Sequence, residues 1–330
     1  MASDQTLRIG YVPEHYLTPL HLALKTHAAT LPFKITLTPF PSGTGHMITS
    51  LRSKEIDLAI GLTEGWVAGL AGKQAPDPGP DGLGGGYKVV GQWVDTPLRW
   101  AIVTGAERSE IERVEDLVEE RKGQGRVGVS RLGSGSHIMS FVLAQQRGWL
   151  DAATPLEPVI LGPFGKLRDG VTGAGSEDNS PTADFFMWEH FTTKPFFHAT
   201  SSAPAPPLKK IGEIFTPWPS WMLVASTSVF PDPGNDERLA GLFEVLDQGV
   251  KAFQADLDRV VALLGTGELG CTYGEEDARE WLKDVKFCEG VRGVDEGTIR
   301  GVVDVLKVAG VIDAGLDDGE AVKRVIGVSR

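Results

Sequence analysis

Apolar residues in this chain come in short runs, each followed by a stretch with helical spacing. LRIGYV (7–12) is one run, and in PEHYLTPLHLALKTHAA after it Leu20, Ala23, Leu24 and Ala28 recur with the period of a helix. FKITLTPF (33–40) leads into GTGHMITSLRSK, and EIDLAIGL (55–62) leads into TEGWVAGLAGK. A second series begins near residue 99 with RWAIVTG. It continues through a helix around VEDLVEER, the strand GRVGVS, the helix SHIMSFVLAQQRGW, and the runs LEPVILG and ADFFMWE, with Gly148 placed to stop the middle helix. WMLVAS (221–226) is a further strand. Beyond it the pattern is almost wholly helical, in DERLAGLFEVLDQGVKAFQADLDRVVALL, EEDAREWLKDV and DEGTIRGVVDVLKVAG. Strands alternating with helices predict an α/β fold on parallel sheets with right-handed crossovers.

The length of 330 residues exceeds what one core usually fills, so two lobes are expected. Three stretches rich in Pro, Gly or Ser, at 74–86, 172–181 and 199–207, fall where linkers would cut the alternation, and they read as surface loops grown between elements. With 41% apolar and 23% charged residues the chain has an ordinary globular composition.

The net charge of -12, with Lys and Arg spread along the chain, makes nucleic acid a poor partner. No apolar run is long enough for membrane insertion. MASDQTLRIGYVP has neither a basic n-region nor an apolar h-region, so the expected location is cytoplasmic. Cys271 and Cys288 stand without metal or redox spacing and read as reduced core thiols.

Two strands carry matching acids. EIDLAIGLTEG has Asp57, an apolar run and Glu64; TADFFMWEH has Asp184, an apolar run and Glu189. Each predicts a buried parallel strand whose carboxyl end delivers a glutamate to a loop, and ligands of open α/β sheets bind at those ends. SRLGSGSHIMSF (130–141) and FPSGTGHMIT (40–49) are also near echoes, each running through small residues to a His and a helix. Neither fits a phosphate loop or a dinucleotide fingerprint. Ser134 or Ser136 with His137 would be neighbours on a helix whose side chains diverge, and no nucleophile elbow is present. The remaining reading is a helix start, capped by Ser and offering backbone N–H groups to an anionic or polar ligand group.

RIGYVPEHYLTPLHLALK, the run at 42–61, the segment IERVEDLVEERKGQGRVGVSRLGSGSH (111–137) and the helical tail together resemble the type II periplasmic-binding-protein superfamily. The chain is most similar there to binding proteins for alkanesulfonates and thiamine pyrimidine precursors and to their cytosolic fungal relatives. The resemblance implies two α/β lobes, 1–97 with 218–330 and 98–217, a hinge near 95–99 and 216–220, an interlobe cleft and a helical C-terminal segment. A pyrimidine synthase of the same superfamily has a Lys and a His after the third strand and a cysteine-rich run before the return strand. Here those segments read AIGLTEGWVAG and TPWPSWMLVAS, so its self-consuming chemistry is not expected.

The expected function is binding of a small polar metabolite, anionic or heteroaromatic, in the cleft by hinge closure. Hydrogen bonds are expected from Glu14, His15, Thr63, Glu64, Glu189 and His190. Helix starts contribute Ser42, Gly43, Thr44 and Gly45 on one side and Ser134, Gly135, Ser136 and His137 on the other, with Trp188 and Trp218 stacking on the ligand. Of the other indoles near the crossings, Trp93, Trp100 and Trp221, at least some are core. Lys166 and Arg168 either add positive charge or lie on a solvated helix face. His15, His46, His137 and His190 match no metal-ligand spacing, so no metal and no cofactor are expected. The alternative is an enzyme of cofactor-precursor metabolism on the same fold, with His190 and Glu189 as acid and base. No catalytic constellation has the right spacing for it.

Overall fold

The computed structural model describes residues 5–119, 125–149, 156–174, 180–199 and 204–330. The loops expected at 172–181 and 199–207, and the end of the helix around VEDLVEER, lie partly outside the described residues. By its contacts the chain forms two compact units. Unit 1 is Met1–Pro97 with Trp218–Arg330, and unit 2 is Leu98–Pro217.

Unit 1 contains β1 (Thr6–Tyr11), α1 (Thr18–His27), β2 (Lys34–Pro39), α2 (Thr44–Arg52), β3 (Leu58–Leu62), α3 (Thr63–Ala71) and β4 (Tyr87–Val94). After the chain returns it adds β10 (Trp221–Ser226), α8 (Glu237–Ala255), α9 (Leu257–Thr266), α10 (Glu275–Asp284), α11 (Glu296–Val308) and α12 (Asp318–Val325). Unit 2, numbered in the same chain order, contains β5 (Arg99–Gly105), α4 (Asp116–Glu119), β6 (Gly125–Val129), α5 (Gly135–Gln146), β7 (Leu156–Ile160), α6 (Phe164–Thr172), β8 (Phe185–Glu189), α7 (His190–Thr193) and β9 (Leu208–Phe215).

The sheet orders are β2-β1-β3-β10-β4 and β7-β6-β8-β5-β9. Wholly parallel sheets were expected, and both are mixed. β10 runs antiparallel to β3 and β4, and β5 runs antiparallel to β8 and β9. Each reversed strand is the first one the chain forms after passing from one unit to the other. Each enters its sheet from the other unit, so no helix from a preceding strand of that sheet sets its direction by the βαβ crossover rule. β3 and β10 are central, and their runs LAIGL and WMLVAS are almost completely buried, as strands covered on both faces require.

The long apolar pattern at 236–264 predicts one helix, but the structure divides it. Asp256 leaves helical conformation at φ -148° and ψ 80°, and its carboxylate accepts from Arg259 N–H at 3.0 Å to start α9. An Asp that finds a backbone donor ahead of it caps a helix better than it continues one. On α8, Gly249 permits close packing with α1, because a Cβ there would lie 2.2 Å from the Pro19 carbonyl oxygen.

The same ionic clasp fixes β3 and β8 at their amino ends. In unit 1 the Asp57 carboxylate accepts from the Arg8 backbone N–H at 2.8 Å and from its guanidinium at 3.0 and 2.6 Å. In unit 2 the Asp184 carboxylate accepts from Arg126 N–H at 2.8 Å, from the Arg126 guanidinium at 3.4 and 3.2 Å, and from Arg108 at 3.0 Å. Burial alone would raise the Asp184 pKa, but the hydrogen bonds from Arg126 and Arg108 outweigh it and hold the group below its ordinary value. Asp184→Ala leaves the nearly buried Arg108 without this partner and is expected to destabilise unit 2 by about 3–5 kcal/mol. Asp57→Ala leaves an arginine whose side chain is already 41% exposed and is expected to cost about 2 kcal/mol. Urea denaturation of both variants checks the order, and a larger loss for Asp57→Ala would contradict it.

Candidate functional site

Because β10 is antiparallel, its first residue meets the carboxyl end of β3, with Trp221 opposite Leu62. The segment 218–220 therefore lies beside the start of α3. Thr63 N–H donates to the Ser220 carbonyl at 3.1 Å and its hydroxyl to the Pro219 carbonyl at 2.6 Å. Trp218 Nε1 donates to Glu64 Oε2 at 3.1 Å, while Glu64 Oε1 is buried with no hydrogen-bond partner among the described residues. Burial lifts the Glu64 carboxyl to about 7, against the opposing pull of its own backbone N–H and the Trp218 indole. Trp218, expected to stack on a ligand, is itself 4% exposed and holds this carboxyl.

The start of α2 is arranged differently from its sequence echo. Gly43 adopts φ +77°, and no side chain caps the helix. The Thr44 hydroxyl accepts from Leu62 N–H at 3.0 Å and packs on Gly65, where a Cβ would come within 2.8 Å of Thr44 Cγ2. Ser42 is exposed, and Gly43 and Gly45 are half-buried. Glu14 is half-buried ahead of a short 3₁₀ turn. His15 lies in an aromatic cluster, its ring 4.3 Å from Tyr16 and 4.5 Å from both Tyr273 and Trp281, and burial holds its pKa well below the usual value. It is a core histidine here. Trp93 and Trp221 are core as well, the former donating to the Tyr16 carbonyl at 2.8 Å.

In unit 2 the residues of GSGSH close on one another. Ser134 caps α5, accepting from His137 N–H at 3.4 Å, and its hydroxyl lies 3.0 Å from that of Ser136. Ser136 Oγ accepts from Ser130 N–H at 3.4 Å, and His137 Nδ1 accepts from Gly133 N–H at 3.0 Å. With Nδ1 engaged by its own loop, His137 braces the turn ahead of α5, and Gly135 is half-buried between the two serines. Glu189 is turned toward α7, where Oε2 accepts from Thr192 N–H at 2.6 Å. Burial raises its pKa to about 7, opposed by the Thr192 and Phe191 backbone donors, the Thr192 side chain and Arg99. His190 is buried against Phe191 and Phe197. Trp188 is half-buried and tilted against Phe164 at 5.4 Å.

The matching acids of the sequence are not matching positions. Counted from its clasped aspartate, Glu189 falls two residues short of Glu64. It stands opposite Trp100 in the sheet, where unit 1 has Leu62 opposite Trp221.

Sequence reasoning did not single out Arg131, a half-buried cation that follows β6. It has no ion pair or side-chain hydrogen bond among the described residues, and burial alone pushes its pKa down. Nothing in the spacing of a lone loop arginine marks it; only the absence of an acid near it in space does. Among the described residues no group of three or more His, Cys, Asp or Glu side chains is placed to hold a metal ion. Among the described residues no helix is long and apolar enough to cross a membrane.

Comparison with solved structures gives the fold a family. The Candida albicans CA3427 gene product, described as exhibiting the generic periplasmic-binding-protein fold, is 31% identical to this chain. The match covers 98% of this chain and 97% of that one, with a TM-score of 0.81. The Ca3427-like PBP family model matches residues 100–214, nearly all of unit 2.

The chain belongs to the Ca3427-like periplasmic-binding-protein family.

Fold similarity extends further. The alkanesulfonate-binding protein SsuA from Xanthomonas axonopodis pv. citri, bound to MOPS, matches at 15% identity and a TM-score of 0.66, over 98% of this chain and 99% of that one. The periplasmic aliphatic sulphonate binding protein SsuA from Escherichia coli matches at 15% and 0.64, over 99% and 94%. A search of curated proteins finds no match to the chain.

The raised carboxyls of this Ca3427-like protein have a measurable consequence. A carboxyl that ionises near 4.5 when unfolded and near 7 when folded binds more protons in the native state between those values. Its contribution to stability is complete below about 4.5 and is lost as pH rises through about 7. Glu64→Gln keeps an acceptor for Trp218 and removes the charge. It is expected to raise stability at pH 8 by on the order of 2 kcal/mol and to flatten the decline between pH 5 and 8. Denaturant titrations at both pH values test this, and equal slopes in wild type and variant would refute it.

Proposed function

We propose that this protein binds a small polar molecule, anionic or heteroaromatic, through the groups at the carboxyl ends of its parallel strands and releases it unchanged. The observation that carries the reading is how the polar side chains there are engaged. Thr44, Thr63, Ser134, Ser136 and His137 hold helix starts and connecting segments in place, and among the described residues no serine is hydrogen-bonded to a histidine side chain. Such an arrangement preorganises a binding surface, because the donors around it are fixed before a ligand arrives. It gives no activated nucleophile, which would need a base within hydrogen-bond reach. The sulfonate-binding relatives of the same fold support a small oxyanion-bearing ligand as one candidate class.

A thermal-shift screen of small metabolites, with recovery of each hit by mass spectrometry, tests the proposal. At least one compound is expected to raise Tm and to be recovered intact. Trp188→Ala in unit 2 is expected to weaken that compound about tenfold by removing a half-buried aromatic wall. Chemical conversion of the stabilising compound would overturn the binding reading.

A further inference from the structure

Arginines that are partly buried in this protein are answered by acids or carbonyls with two exceptions among the described residues. Arg8, Arg99, Arg108, Arg126 and Arg238 pair with Asp57, Glu213, Asp184 and Asp236, and Arg52 donates to two carbonyls. Arg131 and Arg168 have no acidic partner, in a chain whose acids outnumber its bases 44 to 32. Desolvating a guanidinium without a counter-charge is costly, and with acids so abundant its absence is informative.

The two arginines both follow strands that end at one edge of the sheet. β6 and β7 are paired and parallel, with Val129 opposite Ile160, so the chain leaves both strands at the same edge of the sheet. Arg131 follows β6 by two residues, just before α5. Arg168 sits one turn into α6, which starts shortly after β7. Its side chain folds back toward the helix start, with Nη2 3.8 Å from where a Gly165 Cβ would be. The Arg168 guanidinium lies 3.9 Å from the Phe196 ring centroid and 5.2 Å from that of Phe164, and its Nε is buried without a hydrogen bond. The aromatic rings orient this cation and shield it from water without neutralising it. The solvated-helix reading of Arg168 therefore does not hold.

Resting on the binding function proposed above, we propose that Arg131 and Arg168 take the oxyanion of the ligand, a sulfonate, phosphate or carboxylate carried on a ring that packs against Trp188 and Phe164. A bidentate guanidinium suits such planar or tetrahedral oxyanions, and the aromatic pair beside it suits a flat body. The N-terminus of α5, next to Arg131 in sequence, adds a favourable field for negative charge.

Isothermal titration of the full chain in sulfonate-free Tris chloride, with benzenesulfonate, phenyl phosphate and benzoate against the neutral isostere benzenesulfonamide, tests the assignment. At least one of the three anions is expected to bind at least tenfold more tightly than the sulfonamide and to weaken between 20 and 300 mM KCl, as charge pairing requires, about threefold or more. Arg131→Gln and Arg168→Gln are each expected to lose about tenfold to a hundredfold for that anion. The sulfonamide is expected to change by less than threefold in the same variants. If a variant fails to fold, the comparison of anion with isostere and the salt dependence in wild type decide the question. If no anion outbinds the sulfonamide, or folded arginine variants bind as wild type does, the assignment falls while the binding function stands on other ligands. If no compound in the wider metabolite screen binds either, both fall.

Discussion

One aspartate at the amino end of a central strand grips the arginine of the parallel strand beside it, and both units use this clasp. Asp57 takes the backbone N–H and the guanidinium of Arg8 together, and Asp184 does the same with Arg126. Binding main chain and side chain of one residue leaves the pairing no room to slip, and a slip by one position would turn every side chain to the opposite face. β3 and β8 are only five residues long, so fixing one end fixes the other. What arrives at the carboxyl edge follows from this: Leu62 opposite Trp221 and then Thr63 and Glu64 in one sheet, Glu189 opposite Trp100 in the other.

Each unit holds a buried glutamate at that edge, and unit 2 adds cations. Glu64 accepts the Trp218 indole on Oε2, so its neutral form carries the proton on Oε1. With a pKa brought to about 7 by burial, that oxygen changes from hydrogen-bond donor to acceptor near neutral pH. Unit 2 carries guanidiniums, which donate at every accessible pH. Each group is costly to bury in the form that carries charge, and each is held in place by aromatic side chains, Trp218 around the carboxyl and Phe164 and Phe196 around Arg168. Such residues persist against selection for stability when a site needs them, which is why perturbed buried groups point to function.

Much of the architecture was legible from local pattern. The apolar runs at β1, β3, β6, β8 and β10 are buried strands, and the type II binding-protein resemblance, carried by the order of motifs, agrees with the family the structure belongs to. β4 and β9 were not read, for different reasons. YKVVGQWV is buried along its whole length, yet Lys88 and Gln92 interrupt its apolar run, and Lys88 is accommodated by the carbonyls of Lys323 and Arg324, more than two hundred residues away. LKKIGEIF is an edge strand with Lys and Glu on its open face, which blurs the alternation. The reversed direction of β5 and β10 depends on where the chain changes units and leaves no mark in either strand. The buried acids Glu64 and Glu189 could be read ahead because a strand followed by an acid is a local pattern. Arg131 was not, because a missing partner is a fact about three dimensions.

The echo between SGTGH and GSGSH shows why similar letters did not give similar roles. Both precede helices of comparable length, and both offer a hydroxyl near the first turn. In α5 that hydroxyl turns inward: Ser134 caps its own helix, Ser136 takes Ser130 N–H, and His137 takes Gly133 N–H. In α2 the Thr44 hydroxyl is drawn away by Leu62 N–H at the end of β3, so the helix starts on a glycine with no side-chain cap. A backbone donor left open at a strand end competes with a helix for the same oxygen, and the outcome depends on how far away that strand end lies. Two similar strings therefore start their helices differently, α5 on a serine side-chain cap and α2 on a glycine without one.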